Sequence, residues 1–342
     1  MTIVPIHVGL DYHKDSVRVC ILDRQGKELL NRNFPNVVEV VAEKILEYGQ
    51  PLACAIEACC GAADFADELH QKYQFPVRLA HPGYVRRLKQ GPDKTDCGDA
   101  YLLADLLRVD YLPEVWLAPE ATRQLRRLVR YRQQLRQLKT ELKQQIRAIL
   151  REERVQGVPA NAWTKAWLVQ VETTAELSAE SRWIVGRQLE RLTQLDQQLR
   201  ELDARLAEIT AQDEVTQQLQ QQPGIGLITA VTLRAQVGNF RRFRTGKQLS
   251  RFCGLTPCNA SSGKRQADAG LVRAGNRELR RVLLEAAHRL VRHDERWKKL
   301  FCHLVYNQHK PVSVAVAAVA NRWMRWLFHQ INDHVTPQLD AA

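Results

Sequence analysis

The sequence predicts an α/β domain on the N-terminal side, then two long helices, then a mainly helical C-terminal part. Three observations predict it. Strand-like and helix-like segments alternate over residues 3–109. Residues 120–155 contain neither Gly nor Pro and keep apolar residues at three/four spacing. A Pro223-Gly224-Ile225-Gly226 turn then opens a remainder whose last part, residues 285–331, has helical periodicity.

The elements follow in order. Residues 3–10 are apolar, 17–22 alternate, Arg24-Gln25-Gly26 is a turn, and 28–34 alternate again, which reads as a β-meander. Residues 38–48 have helical spacing and stop at Gly49, a natural C-cap. Residues 51–56 read as a buried strand, 62–73 as a helix, 76–80 as a strand and 96–109 as an amphipathic helix. A meander followed by alternating strands and helices predicts a mixed sheet covered by helices.

In residues 120–155, Leu125, Leu128, Leu135, Leu138, Leu142, Ile146 and Ile149 form the apolar stripe, while eleven basic residues face four acids, a local excess of seven. Arg126 and Arg130 stand on that basic face. Mere solvation predicts mixed signs, so the excess points to phosphate. Leu192, Leu195, Leu199, Leu202, Leu206 and Ile209 alternate three and four apart, the spacing of a coiled coil. The two stretches predict a long antiparallel helical hairpin or a dimerising coiled coil. Gly224 and Gly226 belong to a turn of helix-hairpin-helix type, whose backbone N–H groups can approach a phosphate at a helix start. Residues 240–281 carry many bases, Lys264, Arg265 and Arg273 among them, against only Asp268 and Glu278. Composition reads Ser261-Ser262-Gly263 as a flexible loop; the functional alternative is a serine nucleophile among bases that neutralise a scissile phosphate. Trp297, Trp323, Trp326 and Phe328 read as core.

Composition narrows the function. The 342 residues include 50 Lys and Arg against 38 Asp and Glu, a net charge of +12. Such a chain suits a polyanion, nucleic acid or an anionic membrane. No 18-residue apolar run and no leader of charged then apolar residues occur, so neither a transmembrane helix nor a secretory signal is expected. The 8 cysteines lack a Cys-x-x-Cys pair. They read as reduced, mostly buried thiols of a cytosolic protein, without a zinc site.

Four carboxylates carry the chemistry. Asp11 ends the apolar run 6–11 and Glu57 ends the run 52–57; Asp96 and Asp99 open a helical stretch three residues apart, so they share a face. Oxygen ligands of this kind hold Mg²⁺, and paired ions stabilise both the attacking and the leaving oxygen of a phosphodiester displacement. The plainer reading is a turn start at Asp11 and helix-dipole complementation by Asp96 and Asp99.

Gly9-Leu10-Asp11, Ile56-Glu57-Ala58, Lys94-Thr95-Asp96-x-x-Asp99-Ala100, Pro223-Gly224-Ile225-Gly226 and Phe252-Cys253-Gly254-Leu255-Thr256-Pro257, in this order, resemble the DEDD transposases of insertion-sequence family 110/1111. The resemblance runs over nearly the whole chain. It implies a RuvC-type RNase H-like α/β domain at 1–117 whose Asp11, Glu57, Asp96 and Asp99 bind Mg²⁺. It implies a coiled coil at 118–212, a mainly α transposase domain at 213–335 and a tail at 336–342. It further implies a serine after Gly-Leu-Thr-Pro, here Ser262 with Ser261 beside it, that forms a covalent phosphoserine with DNA. The partners so implied are donor and target DNA, a structured bridge RNA that pairs with both, and further copies of the chain in a dimer or tetramer. The place implied is the prokaryotic cytoplasm, at the nucleoid when bound to DNA. One departure is Glu57-Ala58-Cys59-Cys60-Gly61, where the family often has Glu-Ala-Thr-Gly. Two other functions fit the residues. One is a metal-dependent nuclease of Holliday-junction type that needs no serine. The other is a basic coiled-coil DNA-binding protein without catalysis.

Overall fold

The computed structural model describes residues 5–89, 96–156, 161–259, 268–273 and 275–334. The chain divides into two compact units, Met1–Glu120 and Ala121–Ala342.

The first unit is built on a six-stranded sheet of order β3-β2-β1-β4-β5-β6. The strands are β1 (Ile6–Tyr12), β2 (Ser16–Leu22), β3 (Glu28–Pro35), β4 (Pro51–Glu57), β5 (Val77–Ala80) and β6 (Glu114–Val115). β1 pairs with β2, and β2 with β3, antiparallel; β4 lies parallel to β1 and β5 parallel to β4. The helices are α1 (Val38–Leu46), α2 (Ala62–Tyr73), α3 (Pro82–Leu88) and α4 (Asp96–Arg108). Period-two alternation splits the strands between two cores. Ile6, Val8, Leu10, Cys54 and Ile56 pack with Val41 and Ile45 of α1 and Phe65 and Leu69 of α2 on one face. Ala53, Ala55 and Ala80 pack with Val85 of α3 and Leu103, Leu106 and Leu107 of α4 on the other. This is a mixed α/β unit consistent with an RNase H-like domain.

The second unit is helical apart from a two-stranded ribbon, β7 (Pro257–Asn259) with β8 (Asp268–Leu271). Its helices are α5 (Glu120–Glu152), α6 (Lys165–Thr173), α7 (Ala179–Thr210), α8 (Glu214–Gln220), α9 (Leu227–Val237), α10 (Gly246–Phe252), α11 (Arg277–His293), α12 (Glu295–Cys302) and α13 (Val312–His334). α5 and α7 lie side by side and antiparallel. Arg132 donates to both carboxylate oxygens of Asp203, at 2.5 and 3.0 Å, Lys139 pairs with Asp196, and Gln188 donates to Gln145 at 3.2 Å. Leu125, Val129 and Leu135 of α5 share a core with Leu202 and Leu206 of α7 and with Val231 and Ala235 of α9. Leu195 and Leu199 pack against that core while Ile209 is exposed, so α5 and α9 of the same chain cover most of the leucine spacing.

The C-terminal core gathers α8 to α13 around Trp323, which is fully buried, with Trp297 and Phe328 buried and Trp326 packed against them. The stretch read as one helical run is broken. Asp294 ends α11 in extended backbone and its side chain caps α12, and a π-helical turn at His303–Asn307 precedes α13. The cysteines also depart from expectation. Cys20, Cys54 and Cys253 are buried, but Cys59, Cys60, Cys97 and Cys258 are exposed. Cys59 and Cys60 follow β4, Cys97 lies on the first turn of α4 and Cys258 is in the exposed strand β7, where no core covers them. Among the described residues, no helix is long and apolar enough to cross a membrane.

Candidate metal centre and nucleic-acid surfaces

The sheet aims two of the acids. Leu10 of β1 lies opposite Ile56 of β4, so the next residues, Asp11 and Glu57, stand side by side at the C-terminal ends of adjacent parallel strands, Asp11 one residue before the last of β1. Both fall on the face away from α1 and α2, the side that α4 covers. α4 supplies the other pair, since Asp96 and Asp99 occupy its first turn. Gly9 is what lets α4 come so near. A Cβ there would stand 2.0 Å from the Ala100 carbonyl oxygen and 2.6 Å from the Ala104 nitrogen. Helix backbone thus rests directly on strand backbone, two residues before Asp11.

The charges register one another. Burial pushes the Asp11 carboxyl above its usual range; His13 opposes this, while the negative charges of Asp96 and Asp99 add to it. Burial likewise raises the Cys59 thiol, with the charges of Glu57 and Asp11 acting in the same direction. Asp99 is paired with Lys89 Nζ at 2.5 Å. Glu57 is half-buried at the end of β4.

His13, absent from the sequence reading, stands in this cluster. Its Nε2 lies 3.2 Å from Asp11 Oδ2 and 3.7 Å from Asp96 Oδ1. Among the described residues, Asp11, His13 and Asp96 form a group whose ligand atoms lie within 4.8 Å of one another. Glu57 and Asp99 are not in that group. Hard carboxylate oxygens gathered beside a part-buried Asp11 are a donor set that a divalent cation satisfies.

The other predicted residues divide. Ser262, Ser261, Lys264 and Arg265 lie outside the described residues. Arg126 is part-buried and donates to the Ala235 and Gln236 carbonyl oxygens, at 2.7 and 3.2 Å. Its guanidinium thus satisfies carbonyls at the C-terminal end of α9. Arg130 and Arg273 are exposed. Gly224 takes φ +80° and faces the Ala286 carbonyl, whereas Gly226 is the exposed N-cap of α9, with nothing within 4 Å of its Cβ position. The turn joins α8 to α9 and leaves the α9 N-terminus open to approach at Gly226. Trp163 is a further feature the sequence reading passed over. Lys143 Nζ lies 4.6 Å and the Arg147 guanidinium 5.5 Å from its ring centroid.

Comparison with known proteins agrees along the chain. Residues 8–154 match the family DEDD_Tnp_IS110, described as "Transposase", and residues 216–302 match Transposase_20, described as "Transposase IS116/IS110/IS902 family". The chain is 25% identical over 322 residues to the transposase for insertion sequence element IS1111A of Coxiella burnetii, covering 92% of this chain and 86% of that protein. It is 28% identical over 336 residues to a probable family 20 transposase of Pseudomonas aeruginosa, covering 94% and 95%. It is 26% identical over 280 residues to the transposase for IS1328 of Yersinia enterocolitica, covering 82% of each. The matched families are transposases, enzymes that process DNA. Within that class the chain belongs to the IS110 family of DEDD transposases.

Proposed function

We propose that this chain cuts and rejoins DNA strands at the end of β1 and β4, with Asp11, Glu57, Asp96 and Asp99 as one half of the active site and Ser262 as the nucleophile. The observation that carries it is the convergence of Asp11, at the end of the sheet, with Asp96 of α4, ligand atoms within 4.8 Å of each other. The four acids would hold Mg²⁺, which neutralises the scissile phosphate and stabilises charge on the attacking and leaving oxygens. Ser262 Oγ attacks phosphorus, its proton passing to solvent or a nearby base. The bond from phosphorus to the leaving sugar oxygen breaks, and that oxygen takes up a proton. The free sugar hydroxyl of another strand later attacks the same phosphorus and releases the serine, so no net bond energy is lost. Lys264 and Arg265 counter the charge of the pentavalent transition state, and Gly263 lets the loop approach the DNA backbone.

The choice of sites is assigned to a structured bridge RNA that pairs with donor and target DNA. The protein then needs shape and charge more than base readout, as in other RNA-guided systems. The exposed bases support this: Arg127, Arg130, Arg136, Arg147 and Arg151 along α5, and Arg241, Arg244 and Arg273 beyond it. The chain would act as a dimer or tetramer, three parts of it being a metal domain at 1–117, the helical pair at 118–212 and a transposase domain at 213–335. Gly224 shapes the turn before α9 and Gly226 opens the N-terminus of α9 to a phosphate.

The deciding experiment is denaturing electrophoresis of the protein with labelled donor and target DNA and the bridge RNA. A covalent adduct is expected with the native chain, absent after Ser262→Ala and absent in EDTA. An adduct that survives Ser262→Ala and vanishes in Ser261→Ala moves the nucleophile one residue back. Metal-dependent cleavage with no adduct in either variant or in the native chain favours the serine-free nuclease.

Binding should be steeply salt-dependent. If about 6–10 phosphates are neutralised, affinity falls by roughly 10³–10⁵ between 50 and 200 mM salt. Fluorescence anisotropy with a DNA duplex reads this directly, and a flat response would rule out phosphate tracking by these surfaces. Arg130→Ala should lower the slope by about one, whereas Arg126→Ala should leave the slope unchanged and loosen the end of α9.

A further inference from the structure

We propose that His13 is a metal ligand of the four-acid centre, a nitrogen donor that makes the site bind Mn²⁺ in preference to Mg²⁺. The inference rests on the four-acid reading and adds to it a residue and a metal preference.

Geometry carries it. The β1–β2 hairpin returns through His13, whose backbone nitrogen donates to the Ser16 carbonyl at 2.9 Å. Asn36 pins the same turn, its Nδ2 donating to the His13 and Lys14 carbonyls at 3.0 and 3.1 Å. The imidazole is thereby held over the end of β1, with Nε2 facing one oxygen of Asp11 and one of Asp96. Those two acids come from opposite sides of the proposed centre, one from the sheet and one from α4. A nitrogen standing between them occupies ground that a shared cation would need. The three ligand atoms spread over no more than 4.8 Å, on the order of twice a metal–ligand bond.

The alternative role for His13 is a simple hydrogen bond that steadies Asp11. The position near Asp96 argues further: a steadying group needs one partner, and Nε2 addresses two carboxylates from different elements. Chemistry then sets the metal. Mg²⁺ is hard, keeps oxygen ligands and dehydrates reluctantly. Imidazole favours first-row transition ions, whose affinity for nitrogen rises from Mn²⁺ onward. A site of carboxylates plus one imidazole accepts Mg²⁺ through its oxygens and gains more from Mn²⁺.

The test is electron spin-echo spectroscopy of Mn²⁺ bound to the full chain, with affinities from calorimetry. Native protein should show ¹⁴N modulation from a directly bound imidazole, replaced by the ¹⁵N pattern when histidine is isotopically labelled. His13→Gln should remove the modulation, weaken Mn²⁺ by roughly tenfold and change Mg²⁺ affinity much less, a size ordinary for a supporting group at a metal. A circular dichroism melt checks that His13→Gln folds, as expected for an exposed turn residue. Mn²⁺ that binds the native chain, is lost in Asp11→Asn, yet shows no nitrogen coupling would overturn the His13 assignment and leave the acids in place. Coupling that persists in His13→Gln would also overturn it. Absence of Mn²⁺ binding, or binding indifferent to Asp11→Asn, would overturn the four-acid centre and His13 with it.

Discussion

Asp11→Asn and Asp99→Asn should each lower DNA strand cleavage by at least about 10³-fold, the scale on which one electrostatic group at a reacting phosphate acts. DNA binding should stay within about twofold, because neither residue belongs to the basic surfaces. The folded chain should not suffer in Asp11→Asn. Asp11 is crowded by its own burial and by the charges of Asp96 and Asp99. Replacing it by a neutral amide of the same shape relieves the cost of a buried charge and the repulsion from Asp96 and Asp99, against the weakening of one contact to the exposed His13. Activity therefore falls while metal-free stability holds or rises slightly. Divalent metal at 100 times its dissociation constant should stabilise the native chain by about 2.7 kcal/mol and the variants by much less. Differential scanning calorimetry with and without metal reads both effects. Asp11→Asn that cleaves DNA at the native rate would remove the site from the end of β1.

The contrast between Asp11 and Asp99 sharpens the expectation. Asp99 is paired with Lys89 at 2.5 Å, and its side chain is 13% exposed. Its replacement frees the ammonium of Lys89, so a small loss of stability should accompany the loss of cleavage. The near neighbour of Asp11 is instead His13, at 3.2 Å.

Much of this arrangement was legible in the residues, for physical reasons that also mark where reading fails. α2 spans Ala62–Tyr73, the very stretch expected, because its apolar spacing and flanking glycine are local signals. Asp11 and Glu57 could be placed at strand ends for the same reason. α3 escaped notice because Pro82-Gly83-Tyr84-Val85-Arg86-Arg87-Leu88 offers only Val85 as a buried residue. His13 escaped because its meaning lies in Asp96, 83 positions away in sequence, and a lone histidine in a turn carries no periodicity. Leu192 to Leu206 announced an apolar stripe, yet a stripe does not name its partner. α5 and α9 of the same chain fill it. Arg126 looked like its exposed neighbours, and only the end of α9 above it shows where its guanidinium is spent.

The second large effect belongs to Gly9. Gly9→Ala should destabilise the first unit by about 3 kcal/mol or more and abolish cleavage with it. An added methyl usually costs a well-packed core about 1–3 kcal/mol, because side chains rotate aside. Here the obstacles are main-chain atoms: the Ala100 oxygen at 2.0 Å and the Ala104 nitrogen at 2.6 Å. Neither can rotate away, so α4 must lift as a body from β1. That movement opens the small core of Cys20, Leu22, Ala100 and Ala104 and carries Asp96 and Asp99 away from Asp11. Hydrogen exchange separates this from global unfolding: protection should fall first in the amides of α4 and in the β1–β2 pairs, with α1 and α2 less affected. Gly226→Ala is the control, since its Cβ would meet nothing within 4 Å and its backbone is ordinary extended chain at φ −89°. It should leave the protection of α4 and of the β1–β2 pairs unchanged and cost no more than about 1 kcal/mol, the ordinary loss on placing Ala at an N-cap. Native protection of α4 in Gly9→Ala, with a thermal transition moved by less than about 2 °C, would mean that backbone contact at Gly9 is not what seats the helix and its acids on the sheet.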